Sequence, residues 1–149
     1  MIETIPIKKI MIDTAPFIYY IEEHEKYFPL IKSIFDKIDE FEIDAITSTI
    51  TLLEVLVQPI KENDKELEKQ YLEILIDNEN LELIDINVVI AKKASEIRAN
   101  YKIKSPDAIQ LATGIVNQCD SFLTNDTDLK KVEEINVIVL DDHVKNETL

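Results

Sequence analysis

Four acidic residues stand where chemistry could be done. Asp13 follows an apolar run in MIDTAP, Glu54 lies in STITLLEVL, Asp107 in KSPDAIQLA and Asp126 in FLTNDTD. Each also has a purely structural reading. Asp13 could accept hydrogen bonds from nearby backbone N–H groups. Asp107 could favour the positive end of a helix, an effect of about 0.3–1 kcal/mol. Asp126 could form a turn or cap the segment after it. Glu54 has Ile50, Leu53 and Val57 as helical neighbours, so it is expected to be part-buried and to interrupt an otherwise buried apolar stripe. Gathered in one crevice, four unpaired carboxylates repel one another. The sequence offers no local arginine to offset that, whereas a hard divalent cation would, since Mg2+ and Mn2+ prefer oxygen ligands.

Alternating short strands and helices must position these acids. Strands are expected at Lys8–Ile12, Glu42–Ile46, Leu81–Ile84, Ser121–Leu123 and Asn136–Leu140. Between them fall helices over Thr14–Ile21, Pro29–Ile38, Thr49–Gln58 (capped by Ser48, ended by Pro59) and Asn87–Arg98. Another opens on a capping-box-like Asn63/Glu66 pair and runs to about Asp77. The last is capped by Ser105, has Pro106 at its first position and runs to about Val116. Such alternation predicts a single α/β domain, 1–149, with a parallel sheet covered by helices on both faces. Ligands bind beyond the carboxyl ends of such strands. Residues 141–149 read as a polar, fraying tail.

Composition excludes several classes. The only glycine of the 149 residues is Gly114, which rules out a P-loop and a dinucleotide fingerprint. Two histidines and one cysteine exclude a Cys/His structural zinc site and a disulfide framework, and a lone Cys119 fits a reducing cytosol. No apolar run approaches the roughly 18 residues of a membrane span, and no signal peptide is visible. A cytoplasmic protein without membrane contact is expected. Thirty acids against 16 bases give −14, which argues against passive nucleic-acid binding. Yet Lys92, Lys93, Arg98, Lys102 and Lys104 cluster with only Glu96 among them. They form either a solvated helix face or a local contact for an anionic ligand.

MIDTAPFIYYIE, STITLLEVL, KSPDAIQLAT and FLTNDTDL together resemble the acidic motifs of PIN-domain ribonucleases, in matching order over nearly the whole chain. The closest type is the small PIN protein of the VapC toxins. The resemblance implies a PIN-like three-layer α/β/α fold with a mainly parallel five-stranded sheet. It implies an endoribonuclease dependent on Mg2+ or Mn2+, with Asp13, Glu54, Asp107 and Asp126 as catalytic metal-binding acids. Asp13 and Asp126 would be direct ligands, Asp107 a ligand or bridge, and Glu54 a ligand or a base acting through water. Thr124 and Asn125 match the polar residues before the last acid, and Asp128 is either an outer acid or a helix cap. Partners implied are an RNA substrate held by the 92–104 bases, an antitoxin protein and a second copy in a homodimer. A PIN-fold RNA-binding or scaffold module without cleavage is the alternative. Phe17, Tyr19, Tyr20, Tyr27 and Phe28 could serve an interface or pack the core. Many relatives carry a glycine after the Asp107 helix, where Asn117 could take a left-handed conformation. Other acid-based phosphate enzymes fit less well: no Asp-x-Asp follows the first strand, and only one acid stands there.

Overall fold

Runs of four or five residues rich in isoleucine and other β-formers build the sheet. The computed structural model describes residues 6–144. Its strands are β1 (Lys9–Ile12), β2 (Asp44–Ser48), β3 (Leu81–Ile84), β4 (Ser121–Thr124) and β5 (Asn136–Val139). All four strand pairings are parallel, in the order β3-β2-β1-β4-β5. The chain therefore builds outward from β1 in one direction, then crosses to its other side for β4. That reversal opens a crevice between the carboxyl ends of β1 and β4.

Helices α1 (Thr14–Ile21), α2 (Phe28–Asp39), α3 (Thr49–Lys61), α4 (Lys65–Leu75), α5 (Val88–Tyr101), α6 (Ser105–Val116) and α7 (Asp141–Val144) cover both faces. Side-chain alternation along β1 splits the core in two. Ile10 and Ile12 pack with Phe17, Ile31, Phe35, Tyr71 and Leu123. Met11 packs on the opposite face with Ile90, Ile97, Leu111 and Phe122. Gly114 lets α6 lie close on β1, because a Cβ there would stand 2.9 Å from Met11 Cβ and 3.1 Å from Ile135 Cδ1. Since α6 carries Asp107, this close approach also fixes the site.

Several boundaries differ from the sequence reading, each for a local reason. Pro59 lies inside α3 rather than ending it, for Glu62 N still reaches Gln58 O at 3.0 Å and completes the last turn. Asn63 takes the left-handed turn (φ 54°), so Asp64 caps α4 through Leu67 N at 3.1 Å. Lys104 rather than Ser105 occupies the cap position of α6, and makes no side-chain cap bond. The left-handed residue after α6 is Gln118 (φ 62°), not Asn117. The expected tail is structured over its first four residues: α7 buries Val144 in the core, and its Asp141 N donates to Asn125 Oδ1 at 2.9 Å. Residues 145–149 lie outside the described residues.

Candidate active site

β1 and β4 run side by side with Ile12 opposite Leu123, and Asp13 N continues the ladder to Leu123 O at 2.9 Å. Asp13 and Asp126 therefore leave the sheet at the same edge. Asp13 caps α1, its Oδ1 accepting from Thr14 N at 2.8 Å. Its other oxygen accepts from Thr124 Oγ1 at 2.7 Å. Thr124 Oγ1 in turn accepts from Asp126 N at 3.1 Å. Asp126 Oδ1 accepts from Asp128 N at 3.0 Å and opens the 3-10 turn Thr127–Lys131, so the capping role read from sequence is real.

A polar network joins α1, α3 and α6 behind these acids. Thr14 Oγ1 donates to Glu54 Oε1, bringing α3 to the crevice. Gln110, one turn beyond Asp107 on α6, places its Nε2 at 2.8 Å from Thr51 Oγ1, 3.2 Å from Asp13 Oδ1 and 3.3 Å from Thr14 Oγ1. Thr47 Oγ1 lies 2.9 Å from Thr51 Oγ1 and donates to Ile12 O at 2.7 Å. Thr47, Thr51 and Gln110 are buried. Sequence reasoning missed Thr14, Thr51 and Gln110. Their signal was helical spacing: Thr51 and Gln110 each stand three residues from a candidate acid, on the same helix face.

The four acids feel one another. Burial pushes the Asp107 carboxyl up to about 6, helped by the charges of Asp13, Asp126 and Glu54 and opposed by Lys104. Burial also raises Asp13, against hydrogen bonds from Thr124, Thr14 and Gln110, with Glu54 adding to the rise. Among the described residues no basic side chain forms an ion pair with any of the four. Nor do three acid, histidine or cysteine side chains among those residues already enclose a point where a metal ion could sit.

Other expectations sort clearly. Glu54 does not interrupt a buried stripe: it is exposed, and Leu53 and Val57 beside it are 61% and 50% exposed. The buried face of α3 is instead Thr51, Val55 and Pro59. Asn125 ties the site loop to the fold, its Nδ2 donating to Tyr19 OH at 3.2 Å. Asp128 pairs with Lys131 at 3.1 Å and is not the cap. Of the five bases, Lys104 faces Asp107 electrostatically. Lys93 pairs with Glu134 and Glu96, and Arg98 Nε donates to Ile103 O at 3.2 Å, while Lys92 and Lys102 are exposed. Phe17 and Tyr27 are core residues, and Tyr19 stacks on Tyr27 and Tyr20 on Phe28. The exposed His24 packs against Tyr19 and Tyr27, and His143 is part-buried.

The PIN domain family model matches residues 10–135, from within β1 through all four acids to the residue before β5. The chain belongs to the PIN domain family. This PIN domain is similar in fold to a toxin–antitoxin complex from Klebsiella pneumoniae (23% identity, TM-score 0.68), covering 89% of this chain and 98% of that one. It is similar also to VapBC2 from Rickettsia felis bound to a promoter DNA fragment (19%, TM-score 0.70), covering 88% and 98%. A third similar structure is DNA-bound VapBC from Salmonella typhimurium (17%, TM-score 0.65), covering 90% and 98%. No curated protein matches the sequence. The sheet of this PIN domain is wholly parallel, where the sequence reading expected it to be mainly so. No helix among the described residues is long and apolar enough to cross a membrane.

Proposed function

We propose that this PIN domain is a metal-dependent endoribonuclease of the VapC type, the toxin of a toxin–antitoxin pair. The observation that carries this reading is four carboxylates brought to one crevice with no ion pair to any of them among the described residues; burial first, and then the charges of Asp13, Asp126 and Glu54, lift Asp107 to about 6. Mutual repulsion of this kind destabilises a fold and is expected where a site needs it.

Asp13, Glu54, Asp107 and Asp126 would hold Mg2+ or Mn2+. The donor set fits a hard cation, being all carboxylate oxygen. Such a cation supplies a water of lowered pKa and a counter-charge for the leaving oxygen. The chain's own residues do the positioning. Thr124 and the Thr14 N–H fix the two oxygens of Asp13. Glu54 stands at the exposed rim, where it meets water and substrate. Lys104, beside Asp107, is the base best placed to meet a phosphate; Lys92 on α5 and Lys102 at its end are also exposed. Lys93 and Arg98 serve the fold instead.

The toxin reading implies an antitoxin whose basic side chain enters the acidic crevice, where an Arg fork matches carboxylates bidentately. A homodimer is supported by Leu53, Val57 and Ile60, which expose 61%, 50% and 57% of their surface along one side of α3. A binding module without cleavage is the second reading, favoured by the unconverged acids. Incubating the purified protein with labelled single-stranded RNA and Mn2+, Mg2+ or a chelator tests the first. Cleavage with metal and none with chelator is expected. Binding of RNA without cleavage under every metal would favour the second.

A further inference from the structure

Gln110 is a buried polar residue that packing alone does not explain. It is 1% exposed, its Oε1 has no hydrogen-bond partner, and its Nε2 faces three oxygens. An unpaired buried carbonyl is unfavourable. Reversing the amide would not cure this, because it would set Oε1 against the Asp13 carboxylate.

Proton counting explains the orientation. Each hydroxyl has one proton to give. Thr47 has given its single proton to Ile12 O, so the proton shared by Thr47 and Thr51 comes from Thr51, whose Oγ1 also lies 3.4 Å from Thr14 Oγ1 and accepts from Gln110. Thr14 gives its proton to Glu54 Oε1 and can likewise only accept from Gln110. Asp13 Oδ1 is an acceptor throughout. Both branches end on acceptors that cannot donate, so their common origin must be a double donor. Among side chains of this length, only the NH2 group of an amide is one without carrying charge.

We propose that Gln110 is a positioning residue, the double donor on which both branches of this network depend. It thereby holds the Asp13 carboxylate directly, and the Glu54 carboxylate through Thr14, as acceptors turned toward the same crevice. Its catalytic consequence rests on the nuclease reading; its structural consequence does not.

The test compares the protein with Gln110→Met, which removes both donor and orphan acceptor, and with Gln110→Glu, which removes the donors. The side-chain carboxyl carbons of Asp13 and Glu54 are followed by NMR in chelator. Both resonances are expected to shift in Gln110→Met, the Glu54 change being one that packing at Gln110 alone would not produce. In the cleavage assay kcat is expected to fall about 10- to 100-fold, as for groups that orient metal ligands, with KM changed little and the melting temperature kept. Unmoved Glu54 and Asp13 resonances in a folded variant would overturn the proposal, as would full kcat in Gln110→Met. Should Gln110→Glu fail to fold, Gln110→Met still decides. If the parent cleaves no RNA, the nuclease reading falls, and the carboxyl resonances alone decide the role of Gln110.

Discussion

Two aspartates stand at opposite ends of the central strand, and they are held in opposite electrostatic states. Asp120, beside the start of β1, accepts from Lys8 N at 2.9 Å, Lys9 N at 2.8 Å and Ser121 Oγ at 2.7 Å. Asp13, at its carboxyl end, also accepts three hydrogen bonds, from Thr14 N, Thr124 Oγ1 and Gln110 Nε2. Hydrogen-bond number therefore does not separate them. Asp120 is exposed: burial is the largest single influence and pushes its carboxyl up, but its hydrogen bonds from Lys9, Ser121 and Lys8 together outweigh burial and hold the carboxyl below the ordinary range. Asp13 is pushed up, because burial outweighs its hydrogen bonds and Glu54 adds a like charge. One end of the strand is arranged for stability; the other tolerates an unfavourable state, which is where function is expected.

Substitutions at the two ends should part company. The largest effect expected is on cleavage in Asp107→Asn: activity falls on the order of 100-fold or more, as when a preorganised charge at a reaction centre is lost. The same variant is expected to melt higher in chelator, since it relieves repulsion. Activity equal to the parent's would remove the site from this end of the sheet. Asp120→Ala should do the reverse. Urea unfolding is expected to show a loss of about 1–2 kcal/mol, with unchanged cleavage per folded molecule; a loss of cleavage without loss of stability would erase the contrast.

Gly114→Ala sharpens the comparison by moving the helix rather than a charge. Its Cβ would meet Met11 Cβ at 2.9 Å. Overpacking of about 1–3 kcal/mol is expected, reduced by about 1 kcal/mol of helix propensity. Calorimetric melting measures the net loss, and a variant as stable as the parent would show that α6 shifts freely.

The smallest effect is the pH dependence of stability in chelator. Asp107 titrates near 6 when folded and near 3.8 when unfolded, so the folded state binds the extra proton between those values. Its contribution is unfavourable above about 6 and fades as pH falls toward 3.8. Asp120 has the opposite sign: its contribution is present above the unfolded 3.8 and is lost as pH falls through its lower folded value. Asp107→Asn should flatten the stability profile in the upper window and Asp120→Asn in the lower one. Equilibrium unfolding across pH checks both.

The parallel sheet was legible because helices separate β1 from β2, β2 from β3 and β3 from β4, an alternation that points to parallel pairing, while β4 and β5 pair parallel across only the 3-10 turn Thr127–Lys131. Asp13, Asp107 and Asp126 were legible because each directly follows a strand or opens a helix, positions that topology brings to one edge. Glu54 was placed at the crevice for the wrong reason. Apolar spacing at Ile50, Leu53 and Val57 marks a stripe, but spacing does not say whether the stripe faces the core or a partner, and here Leu53 and Val57 face outward. The polar network was hidden because threonines and a glutamine read as ordinary helix residues until three elements meet. Helix α7 escaped because one buried Val144 amid polar neighbours carries no periodicity. Caps slipped by a residue wherever Asn63/Asp64 or Lys104/Ser105 competed, and backbone angle rather than residue type decided.

The most direct measurement is cleavage of labelled single-stranded RNA by the parent and by Asp13→Asn, with Mn2+ and with chelator, beside the melting temperature of each in chelator. The expected result is metal-dependent cleavage by the parent, none by Asp13→Asn, and a variant that melts no lower than the parent. Cleavage retained by Asp13→Asn at matched metal would contradict the assignment of the crevice as the catalytic site.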